Sequence, residues 1–303
     1  MSNNKSRMVE ERALDEQLIN DFEASFKRFS GKTMLRSSSS GQVDVSIICP
    51  TFNHRYYIER TLFGFLSQEI SCSVEILIFD DCSTDGTTEF LEQFCSFYPD
   101  LINLIVQPYN KFSRGEANAC EFFSLARGRF IAYCEGDDFW INPRKLATQF
   151  DYMERNSHVA LTYGSALFAD ANGCLIDAYS SETNYRNHKG FRLEVGVNLF
   201  TLTSMFRSEL SLFDVKGKNI YLDIILWSLC GEIGEGHFLD DIGSGVYRVH
   251  TRGLNSGASQ KTRFTMLRDT YLLLFFNKFA KGRFSALVLL LRLILISCRR
   301  VLH

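Results

Sequence analysis

Glu135, Asp137 and Asp138 place three carboxylates within four residues, directly after the apolar stretch 130–134. Like charges at the end of a buried strand repel one another unless a cation or the hydroxyls of a sugar fill the space between them. A second acidic group, Asp80 and Asp81 with Asp85 close by, follows the apolar stretch 74–79. After a third such stretch, 43–49, come Pro50, Thr51, Phe52, Asn53 and His54. These match neither GxGxxG nor the GxxxxGK of a P-loop, so both common glycine-rich phosphate cradles are missing. Phosphate charge must then be met by a metal or by basic side chains. A carboxylate-held Mg2+ or Mn2+ bridging two phosphates does this, with Asp137 and Asp138 acting on a nucleoside diphosphate: one at the ribose or the metal's shell, the other at the metal itself.

The elements that must hold these residues alternate. Strands are expected over 43–49, 74–79, 102–107 and 130–134, with helices over 55–69, 87–98 and 115–126 between them. Such alternation implies an α/β fold, a mostly parallel sheet flanked by helices, with ligands beyond the carboxyl ends of the strands. If the strands are parallel, both acidic groups and 50–54 open on one crevice. Past Pro143 the alternation weakens. A helix is expected over 145–156, a strand pair or one long strand over 159–169, and a hairpin turn at Asn172 and Gly173. A strand over 201–207, a helix over 220–230 opening near Asp223, and a short strand over 246–249 follow.

The motifs CPTFNH (49–54), DDCSTDGT (80–87) and EGDDFW (135–140) resemble, in order and spacing, the signatures of family 2 glycosyltransferases with the GT-A fold. The resemblance covers roughly 43–253. It implies a Rossmann-like sheet and inverting transfer of a sugar from a nucleotide-sugar, usually a UDP-sugar, to an acceptor hydroxyl. Carried over by residue, Pro50, Thr51 and Asn53 line the nucleotide pocket, Asp80 or Asp81 meets the uracil edge, and Arg114 approaches the nucleotide. Asp137 then meets the ribose, Asp138 the metal (Mn2+ or Mg2+), and Trp140 ends the motif on the substrate side. Arg248 and His250, in a Tyr-Arg-x-His stretch, reach the diphosphate. Glu135 stands where the family more often has Asp.

Inverting transfer also needs a general base within about 3 Å of the acceptor hydroxyl. The family's base lies in the second half, where Asp223 is the matching carboxylate and Glu232, Asp240 and Asp241 are alternatives. The biological setting that the resemblance implies is bacterial surface polysaccharide synthesis (O-antigen, capsule or lipopolysaccharide), with a saccharide or lipid-linked saccharide as acceptor. A competing reading is a catalytically inactive nucleotide-sugar-binding or scaffolding module; the complete acidic run favours turnover. Residue by residue, the plainer readings are a turn and helix cap at 80–86, a cap at Asp223, a surface charge at Arg114 and a loop histidine at His54.

Composition narrows the class further. In 303 residues, 33 basic and 35 acidic side chains give a net charge of -2, which carries no nucleic-acid signature. Nine scattered cysteines without metal-ligand spacing suggest reduced thiols and a cytoplasmic location. Residues 1–18 lack the apolar core of a signal peptide. Three regions are expected: an N-terminal helix and flexible linker over 1–41, standing apart as an appendage; a catalytic domain over 42–257; and basic, apolar helices over 258–303. Residues 261–303 carry nine basic side chains against one acidic, a net charge of +8. The run 285–297 is shorter than the about 20 apolar residues that span a bilayer and is interrupted by Arg292. It reads as an interfacial helix on the inner face of the cell membrane, leucines in the acyl boundary and arginines at anionic headgroups. A helix packed on the core or on a second subunit is the rival, and a homo-oligomer is compatible with either.

Overall fold

The computed structural model describes residues 16–37, 41–116, 119–176, 186–212, 220–242, 245–251, 253 and 258–301. Seven strands form the main sheet in the order β3-β2-β1-β4-β8-β6-β9. Its first half follows the expected alternation: β1 (Val43–Thr51), α2 (Ile58–Leu66), β2 (Val74–Asp80), α3 (Thr87–Cys95), β3 (Ile102–Val106) and β4 (Gly128–Tyr133). β1 pairs in parallel with β2 and with β4, and β2 with β3. The carboxyl ends of β1, β2 and β4 therefore lie together. Successive side chains on β1 point to opposite faces. Val45, Ile47 and Cys49 join α2 and α3 in one core, and Ile48 joins a second core on the other face.

The chain departs from the sequence expectation in three places, two of them in the second half. Residues 159–169 form two strands in different sheets: β6 (Val159–Tyr163) in the main sheet, and β7 (Ala166–Ala169) in a small sheet ordered β5-β10-β7. There β10 (Gly245–Arg248) pairs with β5 (Phe139–Trp140) as well as with β7. Residues 201–203 make a 3-10 turn before β8 (Met205–Arg207), which runs antiparallel to β4 and β6. The helix expected over 115–126 is split: Gly115, at φ 73°, ends α4 (Lys111–Arg114), and α5 spans Ala119–Ser124. Only glycine takes that left-handed turn freely. The turn at Asn172 and Gly173 does form, with Gly173 at φ 91° and a bridge between Ala169 and Leu175.

Neither the described N-terminal helix nor the described C-terminal helices stand apart. The helix over residues 16–27, here α1, packs Phe22 and Phe26 against Phe63 of α2, and Glu23 pairs with Arg60 at 2.6 Å. The appendage expected from composition is thus docked, because its apolar face meets phenylalanines that α2 would otherwise expose. At the other end, α9 (Gln260–Ala280) and α10 (Ser285–Val301) pack Tyr271, Leu274 and Leu289 on Ile224, Ile225 and Leu229 of α8 (Leu222–Ile233). Most described cations of this tail already have protein partners. Lys278 and Lys281 pair with Glu232, Arg283 with Glu194, and Arg292 donates to Gly196 O and Tyr271 OH. Arg283 and Arg292 thus help fasten the tail to the domain. No helix among the described residues is long and apolar enough to cross a membrane.

Candidate active site

The crevice at the carboxyl ends of β1, β2 and β4 begins with two loops locked together. Asn53 Oδ1 accepts the Thr84 N–H at 2.7 Å, and the Asn53 N–H donates to Ser83 Oγ at 2.8 Å. Asn53 and Cys82 both sit at positive φ, 56° and 61°, a conformation that costs side-chain-bearing residues energy and is concentrated at functional sites. The acidic run lies beside them. Gly136 N–H donates to Pro50 O at 3.0 Å, and a Cβ on Gly136 would stand 2.6 Å from Thr51 Oγ1 and 3.0 Å from His54 Nδ1. Glycine is what lets the two segments touch. The Thr61 hydroxyl, 3.0 Å from Gly136 O and 2.6 Å from Asp138 O, ties the turn to α2.

The three carboxylates have different surroundings. Asp138 is 2 % exposed, and its Oδ1 accepts the Arg248 N–H at 2.8 Å. Burial, then the charges of Asp137 and Glu135, push its pKa well above the ordinary range. Glu135 holds the Thr201 hydroxyl at 3.0 and 3.1 Å from its two oxygens and is pushed up to about 8 by burial and the charge of Asp137. Burial acts in the same direction on Asp137, but His54 and His250 outweigh it and hold the group below its usual value. The Nε2 atoms of His250 and His54 lie 2.9 and 3.7 Å from Asp137 Oδ2.

Two residues arrive from far along the chain. β10 carries Arg248 over Asp138, its guanidinium 4.6 Å from the Tyr57 ring centroid and 5.0 Å from that of Phe139. Asp223, in the first turn of α8, is partly buried, and loss of solvent around its carboxylate pushes it up to about 6. Its charge reaches Glu135, Tyr133 and Tyr247, which puts it in the neighbourhood of the acidic run. Tyr221, not Asp223, occupies the N-cap position of α8. Among the alternatives, Glu232 is held by Lys278 and Lys281, Asp240 is exposed, and the side chain of Asp241 lies outside the described residues.

Other expected site residues stand elsewhere. Trp140 is fully buried; its indole N–H donates to Leu202 O at 2.6 Å and Lys145 Nζ lies 4.2 Å from its ring centroid. Both side chains of β5, Phe139 and Trp140, are covered by core, which corrects the expected contact of Trp140 with substrate. Asp80 is likewise fully buried, accepting from the hydroxyls of Ser83 and Thr88, so its carboxylate completes the turn rather than facing a nucleobase. Asp81 is only half-buried and accepts the N–H groups of Lys111 and Phe112 at 2.7 and 3.0 Å. Arg114 is exposed, with its guanidinium 4.3 Å from the Tyr109 ring centroid. Sequence reasoning passed over Tyr57, Thr61 and Thr201, and read His54 as a loop histidine. His54 alone carried a signal, its place in the first motif. A cleft of about 420 Å³ opens beside His250, lined also by Asn53, Tyr56, Tyr57, Asp170 and Asn172.

A divalent cation fits this donor set. Carboxylate oxygens suit Mg2+ or Mn2+; burial first, and the charge of Asp137 after it, raises the pKa values of Glu135 and Asp138, and a cation between them would offset both.

Comparison with known proteins gives the same picture. Residues 46–207 match the family model described as glycosyl transferase family 2. An uncharacterized protein of Mycobacterium tuberculosis is 28% identical over 222 residues, covering 73% of this chain and 63% of the relative. TuaG of Bacillus subtilis, a putative teichuronic acid biosynthesis glycosyltransferase, is 35% identical over 136 residues, covering 45% of this chain and 51% of that protein. The chain thus spans less than two thirds of the length of these curated relatives. Among solved structures, S. aureus TarS 1-349 in complex with UDP-GlcNAc superposes with a TM-score of 0.58 at 16% identity, covering 77% of this chain and 66% of that one. The mannosyltransferase PcManGT from Pyrobaculum calidifontis, with GDP-Man and Mn2+, gives 0.51 at 15% identity, covering 86% and 73%.

Proposed function

Because the chain belongs to glycosyl transferase family 2 and has the GT-A fold, we propose that it transfers a sugar from a UDP-sugar, with a divalent metal and with inversion, to an acceptor hydroxyl. One observation carries this reading: Asp138, Asp137 and Glu135 meet His250 and Arg248, with Asp223 near them, at the carboxyl ends of parallel strands. TarS binds UDP-GlcNAc, and a further relative, WfgD of E. coli, is a UDP-Glc-dependent β-1,3-glucosyltransferase acting on a diphosphoundecaprenol-linked sugar. Both support a UDP donor, and WfgD and TuaG support surface polysaccharide synthesis with a lipid-linked acceptor.

Each role follows from the surroundings of the group. Asp138, with Asp137 and His250 adjacent, would hold Mn2+ or Mg2+, and Asp137 would also meet the ribose. When bound, the metal supplies charge that stabilises the departing diphosphate. Arg248, kept rigid between two aromatic rings, adds a fixed positive charge beside it. Thr51, Pro50 and Asn53 line the nucleotide pocket, Asp81 is the member of its pair left for the nucleobase, and Arg114 ends the short helix α4 whose first N–H groups hold Asp81. Asp223 takes the proton of the acceptor hydroxyl. A carboxylate raised to about 6 is ionised at neutral pH yet more basic than an ordinary one, as a general base requires.

The tail supports peripheral membrane contact through its outer face. Leu287, Leu290, Leu291, Ile294 and Leu295 recur at helical spacing on α10 and are exposed, with Phe276, Phe279 and Phe284 beside them. Liposome flotation of the full chain against a Leu287→Gln, Leu291→Gln, Leu295→Gln variant tests this. Equal flotation of the two, or none by either, removes the membrane reading.

The main experiment incubates the protein with a panel of nucleotide-sugars and Mn2+ and follows release of nucleoside diphosphate. Release with a UDP-sugar, abolished by chelator, is expected. UDP binding without release from any donor would make the chain an inactive binding module.

A further inference from the structure

Far from the catalytic crevice, at the amino-terminal ends of β6 and of the edge strand β9 (Glu235–Phe238), two histidines and a carboxylate converge. Ligand atoms of His158, Glu235 and His237 all lie within 4.8 Å of one another. We propose that these three residues form a second metal site, selective for Zn2+ or a similar transition-metal ion and independent of the catalytic cation.

The backbone pre-sets the arrangement. Glu235 and His237 are two apart on β9 and so share one face of the sheet. β6 runs parallel beside β9, with Val159 opposite Glu235, and His158 O accepts the Glu235 N–H at 3.0 Å. Glu235 and His237 thus sit on a paired strand, a support that places ligands more accurately than a loop does, and His158, in the turn just before β6, is tied to that strand by its carbonyl.

Distances and chemistry agree. Donors around a tetrahedral Zn2+ with bonds of about 2.0–2.1 Å stand about 3.3 Å apart. His237 Nε2 and Glu235 Oε2 are already 3.3 Å apart. His158 is exposed, so turning its side chain brings in the third donor without moving the backbone. The other nitrogen of His237, Nδ1, lies 2.8 Å from the hydroxyl of Tyr152 on α6 (Lys145–Arg155). A partner on the far nitrogen fixes the tautomer and aims the near one, as metal-binding histidines require. Lys189 binds the opposite oxygen of Glu235, Oε1, at 2.7 Å, which orients the carboxylate while leaving Oε2 toward the imidazoles.

Ligand type separates this site from the catalytic one. Two imidazoles and one carboxylate suit Zn2+, with water in the fourth position, whereas the carboxylate-rich crevice suits harder Mg2+ or Mn2+. The ion would clamp β9 to β6. β9 is also held on its outer edge by the His188 to Gly236 bridge and leads on to β10, the strand that carries Arg248.

The test uses the full chain, stripped with chelator and held in excess Mg2+. Zn2+ is titrated by calorimetry, and Co2+ is followed by visible absorption for the intense bands of a four-coordinate ion. The parent should bind one Zn2+ per chain and show a higher thermal transition with it. His158→Ala and Glu235→Gln should each weaken Zn2+ at least tenfold and lose the thermal gain, while UDP affinity stays unchanged. Asp138→Asn should leave Zn2+ binding intact. Zn2+ binding that survives both His158→Ala and Glu235→Gln, or that disappears in Asp138→Asn, would overturn the assignment.

Discussion

Two strand ends in this protein carry an Asp-Asp pair, and their surroundings are opposite. At the end of β2, Asp80 and Asp81 face neutral donors: the hydroxyls of Ser83 and Thr88 on one, the backbone N–H groups of 111 and 112 on the other. Beyond β4, Asp137 and Asp138 share a buried space with Glu135, and neutral donors are too few to balance them. A carboxylate buried and supplied with hydroxyls in its own turn, as Asp80 is, is structure. One buried against like charges stores an electrostatic imbalance that a cation and a substrate can relieve.

The same substitution at both ends breaks the comparison most directly. Asp138→Asn should lower nucleoside diphosphate release about a thousandfold or more, because a metal ligand is lost at the leaving group. Its thermal transition should hold or rise, since the amide oxygen still accepts the Arg248 N–H and one repelling charge is gone. A parallel loss of stability and turnover would show that Asp138, like Asp80, is mainly structural.

Asp223 sharpens the contrast. Asp223→Asn should cut turnover about a hundredfold or more with UDP affinity nearly unchanged, since a base acts in the transition state. The pH dependence has a definite sign. Burial raises the Asp223 pKa to about 6, so the group is protonated below that value and ionised above it. Turnover should therefore climb as pH rises through about 6 and then level off, and that limb should vanish in the variant. In stability the sign is reversed: a raised carboxylate pKa favours the fold at low pH, and that contribution fades as pH rises through 6. Loss of UDP binding in step with unfolding would return Asp223 to a purely structural role.

Asp80→Asn is the smallest effect and the control. Weakening the acceptor of two half-buried hydroxyls should cost about 1 kcal/mol of stability, read by denaturant unfolding. Turnover per folded molecule should stay within a few-fold of the parent. A turnover loss as large as that of Asp138→Asn, with stability intact, would place Asp80 in the nucleotide pocket.

Much of the first half was legible because its information is local. Apolar stretches of five to seven residues, separated by helical periodicity, dictate strand and helix, and parallel pairing then puts every motif at one end of the sheet. Trp140 shows where locality stops. It adjoins the acidic run in sequence, yet in the fold it packs on Leu202 and Lys145, contacts across the chain that no spacing rule reveals. Tyr57 and Thr201 were invisible for a related reason. Their importance lies in packing on Arg248 and binding Glu135, contacts across 191 and 66 positions of chain. The cations of the tail misled in the other direction. Counted along the chain they are a basic surface; in the fold, Glu232 and Glu194 neutralise several of them.

By itself, the sequence determined the kind of fold, the end of the sheet where chemistry gathers, and the carboxylates available for it, since these depend on short-range periodicity and on residue type. Tertiary structure alone decided which carboxylates are charged against one another and which are satisfied. It also decided that Arg248 reaches the acidic run and Asp223 comes near it, that Trp140 does not face solvent, and that Lys278, Lys281 and Arg283 are paired with carboxylates of the domain. Burial and the distance between charges set pKa and hydrogen bonding, and neither exists until distant segments have packed together.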